Sequence, residues 1–222
     1  MPHICLLLSG AALLVNGLAA LGHLPRRDAA VLSLMVGIVQ VVLGVAVLSP
    51  GTPATPALTA AGMFLFGLTY VYVGLDSLLE LGSKGLGWFC GMVAIVGLLL
   101  AAGWLRDDPL LAVLWLSWSV LWALFFASMA LGLARLDTFT GWALVLTSQV
   151  TATIPAFLGL AGLWPRSPSA AAAAAVLLTG LFVIAGVLAR RTLAARETAR
   201  ADAVAPDRAA QPPSASAKEA AR

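Results

Sequence analysis

The chain carries few charged residues, and none of them lies inside its long apolar runs. Charged residues make up 10% of the 222 residues, hydrophobic residues make up 61%, and the mean hydropathy is +0.97. Ion-coupled transporters, proton pumps and voltage sensors usually keep ionisable groups within their spans, so active coupling is not expected. A retinal-binding bundle is excluded as well, because its Schiff base requires a lysine among the helices.

Cysteine and histidine are almost as scarce. Cys5 and Cys90 lie in apolar runs without a second cysteine nearby, which is typical of small buried hydrophobic residues rather than of a disulfide framework or zinc site. His3 and His23, the only histidines, lie near the two ends of the first run. Without a constellation of acid, base, nucleophile or metal ligands, we predict no catalytic residue, no metal site, no cofactor and no enzymatic activity.

The net charge of +3 comes entirely from the end of the chain. From Arg190 to Arg222 there are seven Lys and Arg residues and four Asp and Glu residues, and the remaining charges cancel. This distribution does not resemble a nucleic-acid-binding patch. From about residue 196 the sequence is rich in Ala, Pro, Ser and charge and lacks aromatic residues, which predicts a frayed helical extension followed by disorder.

Long apolar runs dominate the rest of the chain, and a helix needs roughly 20 such residues to cross a bilayer. We predict seven spans, at about residues 4–22, 29–48, 57–75, 86–105, 109–134, 139–164 and 169–189. The connections are short and contain Pro, Gly or charged residues, so successive helices should be antiparallel neighbours. The predicted fold is an all-α membrane protein.

Lys and Arg residues in the short loops predict the orientation, because they concentrate on the cytoplasmic side of a membrane. We predict that the N-terminus is outside and the C-terminus cytoplasmic. The cytoplasmic loops then hold Arg26, Arg27, Lys84 and Arg135. The external loops hold only Arg106 and Arg166, and the basic tail also lies inside.

Three tryptophans of the fifth run form one stripe. Trp115, Trp118 and Trp122 fall within about 60° of one another on a helix and extend from the outer third of the span towards its middle. An interfacial aromatic belt would explain Trp115 at most. Plain packing against neighbouring helices is the other ordinary explanation, although each buried indole N–H then needs an acceptor. A narrow slot in which a planar solute stacks is the functional alternative.

Other runs contain stripes that mix apolar and small polar groups. The first run carries Leu6, Ser9, Leu13 and Asn16 at helical spacing. Phe66 and Tyr70 share one face of the third run, and Thr147 belongs to a group of Ser, Thr and Gln residues in the sixth. Each stripe alone is more often packing than pore, since Ser and Thr commonly bond their own helix backbone. Together they indicate an aromatic conduit with sparse neutral hydrogen-bonding groups.

Over about residues 4–164 the sequence resembles the AmiS/UreI family of bacterial urea and short-chain amide channels. The resemblance depends on "LLVNGL" in the first run, "FLFGLTYVYVGLD" in the third, "WLSWSVLW" in the fifth, and "FTGW" followed by "TATIPAFL" in the sixth. It implies six-helix protomers assembled as a hexamer, each protomer with its own pore. It places on that pore Leu6, Ser9, Leu13, Phe66, Tyr70, Trp115, Trp118, Leu121 and Trp122.

Three departures from the family pattern modify these expectations. Acid-gated urea channels are similar in having a pore-lining glutamate in the sixth span, and at that position this chain has Thr147. The external connections "SPGTPATP" and "RDDP" are short and lack histidine. We therefore predict no acid gate. The last span has no counterpart in a six-helix protomer, so lipid-facing packing and hexamer contacts both stay open. The predicted organisation is a channel bundle at 1–165, an additional helix at 166–195 and a disordered basic cytoplasmic tail at 196–222.

The expected function is passive permeation of urea or short-chain amides across the cytoplasmic (inner) membrane of a bacterium. Ser9, Asn16 and Thr147 would replace part of the solute's hydration, and leucines of the stripes would limit its length. The expected partners are the solute, membrane lipids and other copies in a homohexamer, with a functional link to a cytoplasmic amidase or urease. A seven-helix sensor or adaptor that acts through its tail is the alternative from another class, and a membrane enzyme is a more distant one.

Overall fold

Helices make up nearly all of the structure, a computed structural model that describes residues 1–48 and 54–209. In chain order the α-helices are α1 (Pro2–Leu21), α2 (Arg26–Val47), α3 (Ala54–Leu79), α4 (Lys84–Trp104), α5 (Pro109–Phe125), α6 (Asp137–Ser148), α7 (Ile154–Leu160) and α8 (Pro168–Ala209). A π-helical turn, Phe126–Ala130, extends α5, and a second π-helical turn, Gln149–Thr153, joins α6 to α7. A short 3-10 turn, Ala134–Leu136, precedes α6.

Seven segments of this described chain are long and apolar enough to span a bilayer. They are Pro2–Leu21, Arg26–Val47, Ala57–Leu79, Lys84–Trp104, Pro109–Ala130, Ala134–Leu160 and Pro168–Ala201. The prediction of an all-helical protein with seven spans is confirmed. The span ends differ by a few residues from those predicted, except that the last helix is much longer than its apolar run.

Local sequence explains where helices begin and end. Asp108 caps α5, because its side chain accepts a hydrogen bond from the Leu111 N–H at 2.9 Å. Pro109 occupies the first turn, where a missing N–H costs nothing. At its other end, α1 stops at Gly22, whose φ of 85° suits glycine, and the Gly22 N–H bonds back to Ala19 at 3.0 Å.

The break between α6 and α7 follows from Pro155. Proline lacks an N–H, and its ring clashes with the carbonyl four residues earlier, so a regular α-helical ladder cannot continue through it. The chain therefore widens into the π turn just before Pro155 and then resumes as α7. The sixth span keeps its membrane-crossing length but carries a built-in irregularity at its middle.

α1 contacts four other helices, α2, α3, α6 and α7. Around it, α2 packs along α3, and α4 packs along α5. Glycines bring α2 and α3 close together: a Cβ at Gly37 would lie 2.6 Å from the Gly67 carbonyl oxygen, so this face has no room for a side chain. The close contact fixes the position of α3, which carries Phe66 and Tyr70 towards the interior.

α8 packs on the outside of the bundle against α6 and α5. Trp142 Nε1 donates to Thr192 Oγ1 at 3.0 Å, and Arg196 Nη2 donates to the carbonyl oxygen of Leu21 at 2.7 Å. The second bond places a cation at the C-terminus of α1, where it complements the helix dipole. The helix continues past residue 195 to Ala209. Residues 210–222 of the predicted tail lie outside the described residues, and the division at residue 195 stays a prediction.

One acidic residue lies in the last turn of a span. The sequence places Asp76 just beyond the third span, but α3 continues to Leu79, and Asp76 lies within it with 6% of its surface exposed. The helix outlasts the apolar run because the Asp76 carboxylate is satisfied locally. It accepts hydrogen bonds from the Ser83 N–H at 2.9 Å and from the Ser83 hydroxyl. Within the described residues, Asp, Glu, Lys, Arg and His are thus missing from the middle of the spans but occur at their ends.

Candidate functional site

Two cavities enter the bundle from opposite ends. The first, named the His3 cavity, has a volume of about 270 Å³ and is bordered at its end of the bundle by His3, Leu58, Trp104, Asp108, Trp164 and Arg166. The second, named the Asp76 cavity, has a volume of about 280 Å³ and is bordered at the other end by Ala20, Arg26, Asp76, Ser83, Ser128 and Asp137. The mouth of each cavity therefore lies where successive antiparallel helices begin or end.

Phe66 and Trp118 line both cavities and separate them. Phe66 comes from α3 and Trp118 from α5, and both side chains are buried. Their ring centroids lie 4.9 Å apart, with the ring planes at 89° in an edge-to-face contact. We call this pair the aromatic neck. The two cavities meet at this pair.

The other two tryptophans of the stripe flank the neck. Trp115 lines the His3 cavity and Trp122 lines the Asp76 cavity, with ring centroids 6.2 Å apart and ring planes at 18°. Trp118 stands edge-on to Trp115 at 5.2 Å, and Phe66 lies 4.7 Å from Trp122. The stripe is therefore one aromatic cluster with a cavity at each end, not an interfacial belt.

Most residues predicted to line a pore lie in the walls of these cavities. The His3 cavity includes Leu6, Ser9 and Trp115. The Asp76 cavity includes Leu13, Asn16, Tyr70, Leu121 and Trp122. Phe66 and Trp118 belong to both. The structure brings these side chains together, while their part in permeation stays a proposal.

Thr147 is the exception among the predicted pore residues, and its part in permeation stays a prediction. It belongs to the wall of neither cavity and is fully buried in α6. Its hydroxyl donates to the Ala143 carbonyl at 2.7 Å, a bond within its own helix. Threonine commonly satisfies its hydroxyl in this way in apolar surroundings, so Thr147 has no donor left for a solute.

The Asn16 side chain uses part of its hydrogen-bonding capacity within the protein. Its Nδ2 donates to the Ala12 carbonyl and to Ser33 Oγ, each at 2.8 Å. The two bonds use both amide hydrogens, so only the Oδ1 acceptor is left for a solute in the Asp76 cavity.

Gln40 on α2 is a wall residue that the sequence does not reveal. It is fully buried and lines the His3 cavity, where its Nε2 donates to the Cys5 carbonyl at 2.9 Å and to Ser9 Oγ at 2.8 Å. The only signal in the sequence is a lone glutamine in an apolar run. Many such residues only join helices, so the pattern alone could not select it.

Unpaired polar atoms occur on a few buried side chains, including the neck residue Trp118. Within residues 1–48 and 54–209, three buried side-chain atoms have no hydrogen-bond partner: Gln40 Oε1, Ser117 Oγ and Trp118 Nε1. Gln40 and Trp118 both line the His3 cavity. The Trp122 indole, in contrast, donates to Thr69 Oγ1 at 3.2 Å. Buried polar groups nearly always have a partner in the protein or in water, so an unpaired atom in a cavity wall requires an explanation.

Charged residues lie at the mouths of the cavities, where neighbours hold them. Asp108 accepts a hydrogen bond from Trp164 Nε1 at 2.8 Å, and the Trp164 ring lies 5.3 Å from the His3 ring. At the other mouth, Asp137 accepts a hydrogen bond from the Ser128 hydroxyl. No group of three His, Cys, Asp or Glu side chains that could hold a metal ion occurs in the part of the chain that the structure describes.

Comparison with known proteins identifies the family. Residues 1–163 match the model of the AmiS/UreI family of transporters. The chain belongs to the AmiS/UreI family. The match ends before α8 begins at Pro168, so the last helix lies outside the matched region.

Relatives in this family are named as transporters and channels. AmiS2, a protein of Rhodococcus erythropolis named as a transporter, is 43% identical over 192 residues, which are 85% of this chain and 93% of that protein. A Mycolicibacterium smegmatis protein named as a transporter of amidate substrates is 37% identical over 190 residues, which are 83% of this chain and 88% of that protein. The acid-activated urea channel of Helicobacter pylori is 29% identical over 189 residues, which are 71% and 96% of the two chains.

A solved structure has the same fold. The crystal structure of the urea channel from Helicobacter pylori aligns with a TM-score of 0.66 at 28% identity, over 74% of this chain and 100% of that chain. A cryo-EM structure of the same channel in a closed state aligns with a TM-score of 0.67. Together with the seven spans, these relatives indicate a multi-pass bacterial membrane protein that acts as a transporter or channel, not as an enzyme.

Proposed function

We propose that this AmiS/UreI family member is a passive channel for small neutral amides, namely urea and short-chain amides such as acetamide. The observation that carries the proposal is the pair of cavities that enter from opposite ends and meet at Phe66 and Trp118. The relatives support the choice of solute, because they are named as a urea channel and as a transporter of amidate substrates.

The walls suit a planar amide. Stripping an amide of water costs roughly 2 to 7 kcal/mol unless other groups replace its hydrogen bonds. Ser9 and Asn16 offer such groups on the two sides of the neck. The rings of the aromatic cluster add stacking of about 1 kcal/mol per contact. These contributions are weak enough for the solute to leave again, as conduction requires.

The neck itself excludes ions. It consists of two aromatic rings, and the charged residues in the cavity walls lie at the mouths. An ion that entered the neck would lose its hydration shell without finding a counter-charge, at a cost of many kcal/mol. Transport is therefore downhill for the neutral solute and independent of proton or sodium gradients.

The orientation and assembly of the channel belong to the same proposal. We place the His3 cavity outside the cytoplasmic membrane and the Asp76 cavity inside, because the loop arginines and lysines concentrate at the Asp76 end together with Arg196 and the tail. We further propose a homohexamer, as the family resemblance implies. Cross-linking of the protein in its own membrane tests the hexamer, and labelling of a cysteine introduced at Arg106 tests the orientation.

Flux into proteoliposomes tests the function. Stopped-flow light scattering would follow entry of urea and acetamide with all ion gradients collapsed by ionophores. We expect both solutes to enter much faster than into protein-free vesicles, at a rate that imposed proton or sodium gradients leave unchanged. Entry no faster than into protein-free vesicles, or entry that depends on a gradient, would rule out a passive channel.

A further inference from the structure

The Gln40 side chain has a hydrogen-bond acceptor, Oε1, that receives no hydrogen bond from the described residues. Its side chain is fully buried on α2, lines the His3 cavity and has no partner for Oε1 among the described residues. The amide orientation is well determined by its surroundings, because the Cys5 carbonyl can only accept and therefore requires Nε2 on that side. The second bond of Nε2, to Ser9 Oγ, fixes the amide plane.

The Trp118 side chain has a hydrogen-bond donor, the indole N–H, that finds no acceptor among the described residues. Its Nε1 is buried and unpaired, and its ring lines the same cavity and forms one side of the neck. An amide has the two groups that this wall lacks, since its N–H can bond to an acceptor and its carbonyl oxygen to a donor. A buried site built for hydrogen bonding discriminates strongly against analogues that lack the complementary group.

We propose that Gln40 determines specificity by accepting a hydrogen bond from the solute N–H, while the Trp118 indole donates to the solute carbonyl oxygen. This inference rests on the proposed function and narrows its substrate class to amides with at least one N–H. Tertiary amides of the same size enter the His3 cavity but leave Gln40 Oε1 unpaired, so they cross slowly. Ser9 acts as a positioning residue, because its hydroxyl oxygen holds the Gln40 amide in place.

Isomers of one amide provide the test. Propionamide, N-methylacetamide and N,N-dimethylformamide have the same atoms but carry two, one and no N–H bonds. Their channel-dependent permeability is the rate in proteoliposomes minus the rate in protein-free vesicles. We expect propionamide to exceed N,N-dimethylformamide by about ten-fold, with N-methylacetamide between them, as the loss of a hydrogen bond at a buried site implies.

Two variants test whether Gln40 and Trp118 cause this order of permeability. Gln40→Leu keeps the side-chain size but removes the acceptor, and we expect the propionamide preference to fall to within about three-fold. Trp118→Phe keeps a ring at the neck but removes the N–H, and it provides a second readout if Gln40→Leu does not fold. Gln149→Leu is the matched control, because Gln149 lines neither cavity, and it should keep the wild-type order.

The possible failures are distinguishable. If propionamide and urea enter no faster than into protein-free vesicles, the proposed channel function fails. If they enter rapidly but the three isomers cross equally well, water alone satisfies Gln40 Oε1 and the recognition proposal is overturned. It is also overturned if a folded Gln40→Leu protein keeps the wild-type order or, where that variant does not fold, if Trp118→Phe keeps it.

Discussion

The Trp118 indole meets the Phe66 ring edge-on, with ring centroids 4.9 Å apart and ring planes at 89°. An edge-to-face pair of this kind contributes about 0.5 to 1.5 kcal/mol beyond its buried area. Both rings are buried, and Phe66 also contacts Trp115 and Trp122. A solute that crosses between the cavities must therefore displace at least one ring of this packed cluster.

Gly62→Ala tests whether the close contact with Gly62 holds Trp115 in the aromatic cluster. A Cβ at Gly62 would lie 2.6 Å from Cζ2 of Trp115, so alanine forces the indole to move in the wall of the His3 cavity. Overpacking of this kind costs about 1 to 3 kcal/mol. We expect a lower melting temperature and a urea flux reduced by about two-fold or more. Differential scanning fluorimetry and proteoliposome flux would measure both.

Gly103→Ala is the matched control for this substitution. Apart from its chain neighbours and the nearby backbone of its own helix, no atom lies within 4 Å of the Cβ position at Gly103. Alanine favours the helix by roughly 1 kcal/mol over glycine. We expect wild-type flux and an equal or slightly higher melting temperature. Equal effects of the two substitutions would show that Trp115 is not held by Gly62.

Urea flux should depend only weakly on pH. The Asp, Arg and His residues of the cavity walls lie at the mouths: His3, Asp108 and Arg166 at one end, and Arg26, Asp76 and Asp137 at the other. Between pH 5 and pH 7.5 only histidine has an ordinary pKa in range, so we expect a change of less than about two-fold. Stopped-flow flux at the two pH values, with equal pH on both sides of the vesicle, would measure it.

His3→Gln is the control for the pH profile, because glutamine keeps a polar side chain near Trp164 without a titration in this range. Any small pH dependence of the wild type should disappear in this variant. Strong activation by acid in both proteins would reveal a gate elsewhere and would contradict the expectation based on the short external connections.

Deletion of residues 201–222 should leave urea flux unchanged. The deletion keeps Arg196, whose guanidinium donates to the Leu21 carbonyl at 2.7 Å, and it removes no wall residue of either cavity. We expect wild-type flux in proteoliposomes and only a small change in melting temperature. Reduced flux in a folded deletion protein would contradict this expectation. A full-length protein without flux, whose cellular response is lost on deletion, would favour the sensor or adaptor alternative.

The sequence determines the spans and the aromatic stripe because both depend on local periodicity. Seven apolar runs predict seven spans, and the spacing of Trp115, Trp118 and Trp122 places them on one helix face. Periodicity does not show which residues of other helices these tryptophans contact. The edge-to-face contact between Trp118 and Phe66 joins α5 to α3 and depends on how those helices pack.

The expectations that the structure changes also depend on tertiary contacts. Thr147 and Ser9 are both small polar residues on stripes, yet one bonds its own helix and the other bonds Gln40 from a neighbouring helix. Asp76 extends the third span because Ser83, beyond the end of the helix, satisfies its carboxylate. Neither partner follows from the sequence of a single segment.

The size limit at the neck is the most direct test of a passage between Phe66 and Trp118. Flux of urea and butyramide would be measured in proteoliposomes with the wild type, Trp118→Ala and the control Trp88→Ala, whose side chain lines neither cavity. Removal of the Trp118 indole widens the neck, so butyramide flux relative to urea should rise by about ten-fold in that variant alone, as expected when a barrier falls by roughly 1.4 kcal/mol. An unchanged ratio in a folded Trp118→Ala protein would show that solutes do not cross there.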